Sequence, residues 1–232
     1  VELTGSQGRF LYEHVADPET SDDTLWRIPL SARTAANARA VSLLMNGRQA
    51  TLSLSPSPAE TENNWIKVNP EQTGFYRVNY SPEDWARLRP AIQGLLLPPT
   101  DRLGIQNDAY ALSRAGFLSP TQFLALAEAY ISETNATVWE DLAFNLSALD
   151  RLLADESSYG RFQAFARRIF QPVGRRFGWD ARPGEGHLDA LLRSTVLAEL
   201  GRYEDEETLA EAGERFARFA KDQGSVHPDI RN

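Results

Sequence analysis

The stretch Gly74-Phe75-Tyr76-Arg77-Val78-Asn79-Tyr80-Ser81-Pro82-Glu83-Asp84 decides how this chain is read, because its periodicity changes inside it. Up to Tyr80, side chains alternate as they do on an extended backbone. At Ser81 the chemistry becomes that of a helix start. A capping Ser, a Pro at the first helical position and acids in the first turn all suit the exposed N–H groups found there. The boundary separates a β-rich part, residues 1–80, from an α-helical part, residues 81–232.

Working back from Tyr80, short runs with period two recur. They are Trp65–Asn69, Ala50–Leu54, Val41–Met45 and Leu25–Ser31, with Arg9–Tyr12 as a short apolar run. Each is bounded by Gly, Pro, Asn or Asp, as half-buried strands are. Asn46-Gly47 is a hairpin signal, since that pair tolerates positive φ at both central turn positions. Strands at this spacing predict a two-sheet β-sandwich.

Working forward, Ser119-Pro120-Thr121-Gln122 repeats the capping device, and its Gln completes a capping box. Apolar residues then recur every three or four positions. Leu103, Tyr110 and Ala111 share one helix, and Phe123, Leu126, Ala127, Tyr130 and Ile131 the next. Leu142–Leu153, Phe162–Val173, Leu188–Leu200 and Leu209–Phe219 follow. Gly116, Gly178 and Gly201 are placed as glycines just past helix ends. About six or seven helices with short loops predict antiparallel pairs, closed into a bundle or stacked as a solenoid. The fold class is mixed: a β-sandwich followed by an all-α domain.

The 232 residues are 42% hydrophobic and 24% charged, an ordinary globular composition. A net charge of -8 and a pI near 5.0 argue against nucleic acid or an anionic membrane as partner. The absence of cysteine removes disulfides and thiolate chemistry and suits the cytoplasm. No run of about 20 apolar residues offers a membrane span. The start at Val1 without Met, and an apparent helix start near Asp229, lead us to expect a piece cut from a longer protein.

Catalytic chemistry is hard to place. The three histidines, His14, His187 and His227, do not pair at ligand spacing, and no H-E-x-x-H occurs. Glu185, His187 and Asp189 read as residues of a helix's first turns rather than a metal site. No G-x-S-x-G, P-loop or dinucleotide fingerprint is present. The sequons at Asn79, Asn135 and Asn145 read as chance tripeptides. Two polar clusters stand out: Gly74-Phe75-Tyr76-Arg77 and Asp101-Arg102-Leu103-Gly104-Ile105-Gln106-Asn107-Asp108. They form either a buried seam of ion pairs and hydrogen bonds or a place where Arg77 or Arg102 faces a peptide carbonyl or carboxylate.

The same stretches carry a family resemblance. Trp65-Ile66-Lys67-Val68-Asn69 followed by Gly74-Phe75-Tyr76-Arg77-Val78-Asn79-Tyr80 resembles the W-x-K-x-N…G-F-Y-R-x-x-Y signature of gluzincin-type zinc aminopeptidases. Leu97–Asp108, Ser113-Arg114-Ala115-Gly116, Thr137-Val138-Trp139 and Phe177-Gly178-Trp179-Asp180 continue it. Pro183–Arg193 is similar to the puromycin-sensitive aminopeptidase branch. The match runs from about Gln7 to Arg231, with no motif match over Val15–Thr24. The resemblance implies four domains: an N-terminal β domain, a thermolysin-like catalytic domain, a small β-sandwich and a helical superhelix. This chain matches the last two, the helical part being a truncated right-handed superhelix of HEAT/armadillo-like helical pairs. The zinc ligands and general-base Glu lie in the first two domains. The resemblance thus implies no catalytic residue, metal ligand or cofactor in this chain and zinc in the parent enzyme. It also implies peptide substrates, and a helical part that shapes and closes the substrate cavity. The chain alone is expected to be inactive, and to self-associate through the helical face left open at its end. A free-standing binding or scaffold module is the alternative.

Overall fold

The computed structural model describes residues 2–12, 23–54, 64–227 and 230. His14 lies outside them. The chain forms two compact units, Val1–Ser132 and Glu133–Asn232.

In the first unit, strands β1 (Glu2–Ser6), β2 (Ile28–Thr34), β3 (Asn37–Met45), β4 (Gln49–Ser53) and β5 (Ile66–Val68) make two small antiparallel sheets, β1-β4 and β3-β2-β5. β2 is central, with Ser31 opposite Ser42 on one side and Ala32 opposite Val68 on the other. Its period-two pattern buries Leu30, Ala32 and Thr34. The register shifts between Ala32 and Thr34, where β2 passes from Ala32 to Thr34 while β3 runs from Val41 to Asn37, so the extra residues lie on β3 opposite Arg33.

Three strand-level expectations are corrected. Asn46-Gly47 does not make a hairpin: neither residue has positive φ, and the strands it joins lie in different sheets. Gln7 takes the Gly47 carbonyl through its amide at 2.8 Å. Arg9–Tyr12 joins no sheet, and Phe10 instead packs edge-on against Tyr12. Gly74–Tyr80 keeps its alternation, with Phe75, Arg77 and Asn79 outward, but joins no ladder. The N–H groups of Gly74 and Val78 go to the side chains of Asn69 and Asp108.

Helices α1 (Pro82–Gln93), α2 (Pro99–Arg114) and α3 (Pro120–Ala127) complete this unit. Ser81 caps α1, its hydroxyl accepting the Asp84 N–H at 3.1 Å. Ser119 and Gln122 form the expected capping box. Gly116 closes α2 at φ 79, and Phe117 N–H reaches the Leu112 carbonyl at 2.9 Å. That is a Schellman end. After Ala127 the backbone tightens into a 3-10 turn, Glu128–Ser132, which carries Tyr130. Leu88, Ile92, Ile105, Phe123 and Tyr130 are buried.

The second unit holds α4 (Ala136–Leu153), α5 (Tyr159–Phe177), α6 (His187–Arg202) and α7 (Glu206–Phe219). Its core is aromatic and aliphatic. Phe170 lies between Trp139 and Tyr203, with ring centroids 5.7 and 6.0 Å away. Helices α5 and α6 touch closely at Gly174, where a Cβ would stand 2.7 Å from Leu200 Cδ1. Gly178 ends α5 at φ 64 as expected. Gly201 does not end α6, which continues to Arg202; the left-handed residue is Glu204, at φ 59. Arg215 of α7 grips Asp180 with two hydrogen bonds, at 2.7 and 2.8 Å. No helix among the described residues is long and apolar enough to cross a membrane.

Candidate functional site

The two polar clusters meet within the first unit. β5 supplies Lys67, whose residue is only 1% exposed. Its ammonium donates to the carbonyls of Val68 and Asn69, the latter at 3.0 Å. Burial pushes its pKa down to about 8, against the pull of Asp101 and Asp108 and with help from Arg33. Arg33 stands directly across from Lys67 in the β2-β5 pairing. Like charges in that position repel. The counter-charges come from α2: Asp101 meets Arg33 at 2.5 Å, and Asp108 meets Arg77 at 3.3 Å.

Both acids also hold backbone. Asp101 Oδ1 accepts the Glu71 N–H at 2.6 Å. Asp108 Oδ2 accepts the Val78 N–H at 3.1 Å. Seven positions apart on α2, they pin the Asn69–Tyr80 segment at two points. Burial pushes the Asp108 carboxyl up to about 6, although the Val78 N–H, Arg77 and Lys67 all favour its ionised form. The Tyr80 hydroxyl accepts the Val68 N–H at 3.0 Å, and burial raises its pKa. At Gly104 a Cβ would lie 1.9 Å from Gln72 Nε2, so a side chain there would displace the end of Gln72.

The two arginines singled out in the sequence sit differently. Arg102 is 4% exposed; its guanidinium donates to the Leu97 carbonyl, and its own carbonyl accepts the Tyr130 hydroxyl at 2.7 Å. The Arg77 side chain is 32% exposed. It donates to Asp108 and to the Asn107 carbonyl, both at 3.3 Å, and its guanidinium lies 5.4 Å from the Phe10 ring centre. Of the two, Arg77 is the more exposed. Arg33 was not singled out in the sequence. It stands 68 residues from Asp101 in a run that shows only strand character.

Beside the turn lies a hollow of about 360 Å³, lined among others by Ser31 and Arg33 of β2, Ser42 of β3, and Pro70, Glu71 and Thr73. It holds hydroxyls and one carboxylate but no nucleophile with an adjacent base. Among the described residues, no three His, Cys, Asp or Glu side chains come together to hold a metal. His187 sits in the first turn of α6, where Asp189 caps by accepting the Gly186 N–H at 3.2 Å. Glu185 stands ahead of that helix and pairs with buried Arg193, which holds its carboxyl below the usual range.

A pattern that joins this β5 strand to the helices behind it is specific enough to be compared. The model of the ERAP1-like C-terminal domain matches residues 65–232. The chain belongs to that family. It is 38% identical over 213 residues to aminopeptidase M1-A of Oryza sativa subsp. japonica, covering 89% of this chain and 24% of the relative. It is 30% identical over 234 residues to the puromycin-sensitive aminopeptidase of Caenorhabditis elegans, covering 99% and 24%. Aminopeptidase 2 of Candida albicans is 29% identical over 233 residues, again with 99% and 24% covered. The chain thus spans about a quarter of the length of the curated relatives it matches. The family match begins at Trp65, so the motif Trp65-x-Lys67-x-Asn69 opens the shared region.

Proposed function

We propose that this chain is a non-catalytic part of a longer zinc-dependent aminopeptidase, one that shapes and closes the cavity where peptides lose N-terminal residues. The supporting observation is the family match over residues 65–232, joined to relatives named as aminopeptidases. In this reading residues 1–80 are a β-sandwich domain. Residues 81–232 are the front of a right-handed superhelix of HEAT/armadillo-like helical pairs. Zinc belongs to the part of the polypeptide outside this chain, and the whole works in the cytoplasm. Arg77 contacts a peptide carbonyl or carboxylate, as its partly open guanidinium allows. Arg102, buried on the Leu97 carbonyl, supports the wall rather than the ligand.

Release of N-terminal residues from a peptide, with zinc added, tests this. The purified chain is expected to release none, and the longer polypeptide is expected to do so. Within the longer polypeptide, Arg77→Ala is expected to raise KM for peptides by about 5–10-fold with kcat nearly kept, the mark of lost uniform binding. Zinc-dependent release by the chain alone would overturn the reading. The isolated chain is further proposed to self-associate through α7, where Leu209 and Phe216 are exposed. Sedimentation at rising concentration checks this, and a monomer throughout speaks against it.

A further inference from the structure

The turn after β5 has an unusual backbone. Asn69, Glu71 and Gln72 have φ of 55, 59 and 55°, so three of four consecutive residues are left-handed and none is glycine. Such residues persist only where the surroundings over-determine them, and they gather at functional places. The surroundings here do so. The Asn69 carboxamide accepts the Gly74 N–H at 2.7 Å and donates to the Gly74 carbonyl at 2.9 Å. Asp101 and Asp108 hold the Glu71 and Val78 N–H groups. At Gly74 a Cβ would lie 2.2 Å from the Tyr76 ring, so the turn is closed tightly on itself.

Between these anchors stands Phe75. Its exposure is 110% of the reference value, more than any other large apolar side chain among the described residues. It makes no ring contact among those residues, whereas Phe123, Phe162 and Phe170 are buried. The hollow walled by Ser31, Ser42, Glu71 and Thr73 lies beside it. An exposed aromatic residue on a backbone fixed at these points has the form of one half of an interface, because the backbone that carries it is already ordered before binding.

We propose that Phe75 is a docking anchor for the part of the same longer polypeptide that lies outside this chain. That partner offers an apolar pocket for the ring, and beside it a polar ridge that enters the hollow and hydrogen-bonds to Ser31, Ser42, Thr73 and Glu71. Length argues for this occupant, because the relatives extend about four times as far as the matched region. A tethered partner needs little intrinsic affinity, because its effective concentration is high. The proposal rests on the reading that the chain works within a longer polypeptide, and not on the reaction which that polypeptide performs.

Hydroxyl-radical footprinting of Phe75, read by mass spectrometry, tests it. Phe75 is expected to react freely in the isolated chain at every concentration. In the longer polypeptide its reactivity should fall by about tenfold, as for a buried interface anchor. Equal reactivity in the two overturns the proposal. So does protection that appears in the isolated chain as concentration rises, which would make the occupant a second copy. So does protection that appears only when peptide is added. Phe75→Ala supplies a second readout: it should lower the thermal midpoint of the longer polypeptide and leave that of the isolated chain unchanged. No effect on either overturns the proposal. A longer polypeptide without peptidase activity but with Phe75 protected would count against the proposed function alone.

Discussion

The unit Val1–Ser132 joins its strands to its helices with buried charge, whereas the unit Glu133–Asn232 joins helix to helix with rings and methyl groups. In the first, Arg33 of β2 meets Asp101 of α2 across 68 residues of chain, and Asp108 of the same helix holds the Val78 N–H. In the second, the rings of Trp139 in α4, Phe170 in α5 and Tyr203 just past α6 pack together, and the buried Glu133 and Asp205 serve helix starts while Asp150 and Glu199 lie near the ends of α4 and α6. Glu133 accepts the N–H groups of Thr134 and Asn135, and Asp205 caps α7 through the Thr208 N–H. The difference follows from geometry. Two helices have matched apolar faces and need no directional bonds to pack. An extended segment outside any sheet has N–H groups that must find partners, and here acidic side chains supply them.

The comparison is broken most directly by truncating one member on each side. Asp101→Ala leaves the Arg33 guanidinium and the Glu71 N–H without their buried acceptor, and should cost about 3–5 kcal/mol. Phe170→Ala opens a cavity and should cost a similar 3–5 kcal/mol. What separates them is rescue. Replacing both partners, Arg33→Met with Asp101→Leu, should recover most of the first loss, since an apolar pair carries no desolvation cost. Urea titration of the three variants measures this. A double variant no better than Asp101→Ala would mean that the acid matters for the backbone and not for the ion pair.

Acid sharpens the contrast. The Asp108 carboxyl lies at about 6 in the fold against an ordinary 3.8, so between those values the folded state binds the proton more tightly than the unfolded chain. Its contribution to stability therefore rises as pH falls from about 6 toward 4, by roughly 2 kcal/mol. For two carboxyls of the second unit the sign is opposite, whereas burial raises the Glu199 carboxyl as it does that of Asp108. Hydrogen bonds from Arg215 hold the Asp180 carboxyl below its usual range, and Arg193 does the same for Glu185. What they contribute is present above the ordinary carboxylate pKa and is lost as pH falls through their lowered values. Residue-resolved amide exchange across this range should show opening free energies rising around Val78 and falling around the Glu185–Arg193 and Asp180–Arg215 pairs. An ordinary titration of Asp108 by carbon NMR would remove the contrast.

The smallest expected effect concerns a helix end. Gly116 closes α2 with a glycine in the left-handed position, whereas Glu204 closes α6 with a residue that carries a Cβ in the same conformation. Glu204→Gly should raise stability by about 0.5–1 kcal/mol. Thermal melting checks it, and a loss would show that the Glu204 side chain contributes more than its backbone costs.

These helix ends also show what was legible beforehand. Ser81-Pro82 and Ser119-Pro120-Thr121-Gln122 announced caps that the structure bears out in detail, because a cap is a local event among four residues. Gly201 misled for the same reason in reverse. A glycine permits a helix end but does not demand one, and α6 ran on to a non-glycine closure. Asn46-Gly47 misled because turn chemistry says nothing of which sheet each flanking strand will join, and β4 pairs with β1. Gly74–Tyr80 reads as a strand and keeps its alternation without joining a ladder, since period two follows from extended backbone and not from pairing. Within the candidate site, Arg77, Arg102 and Asp101 stood out because they crowd polar residues into short stretches. Arg33 did not, as its role depends on a partner far along the chain.

The buried Lys67 has a practical consequence. The whole sequence contains two lysines, Lys67 and Lys221. Lys221 lies on the surface just past α7, while Lys67 is shut away behind β5. An amine-reactive reagent therefore meets one lysine in the native protein and two once the first unit opens. The chain carries its own unfolding counter, readable as a single mass increment and specific to the seam that holds strands and helices together.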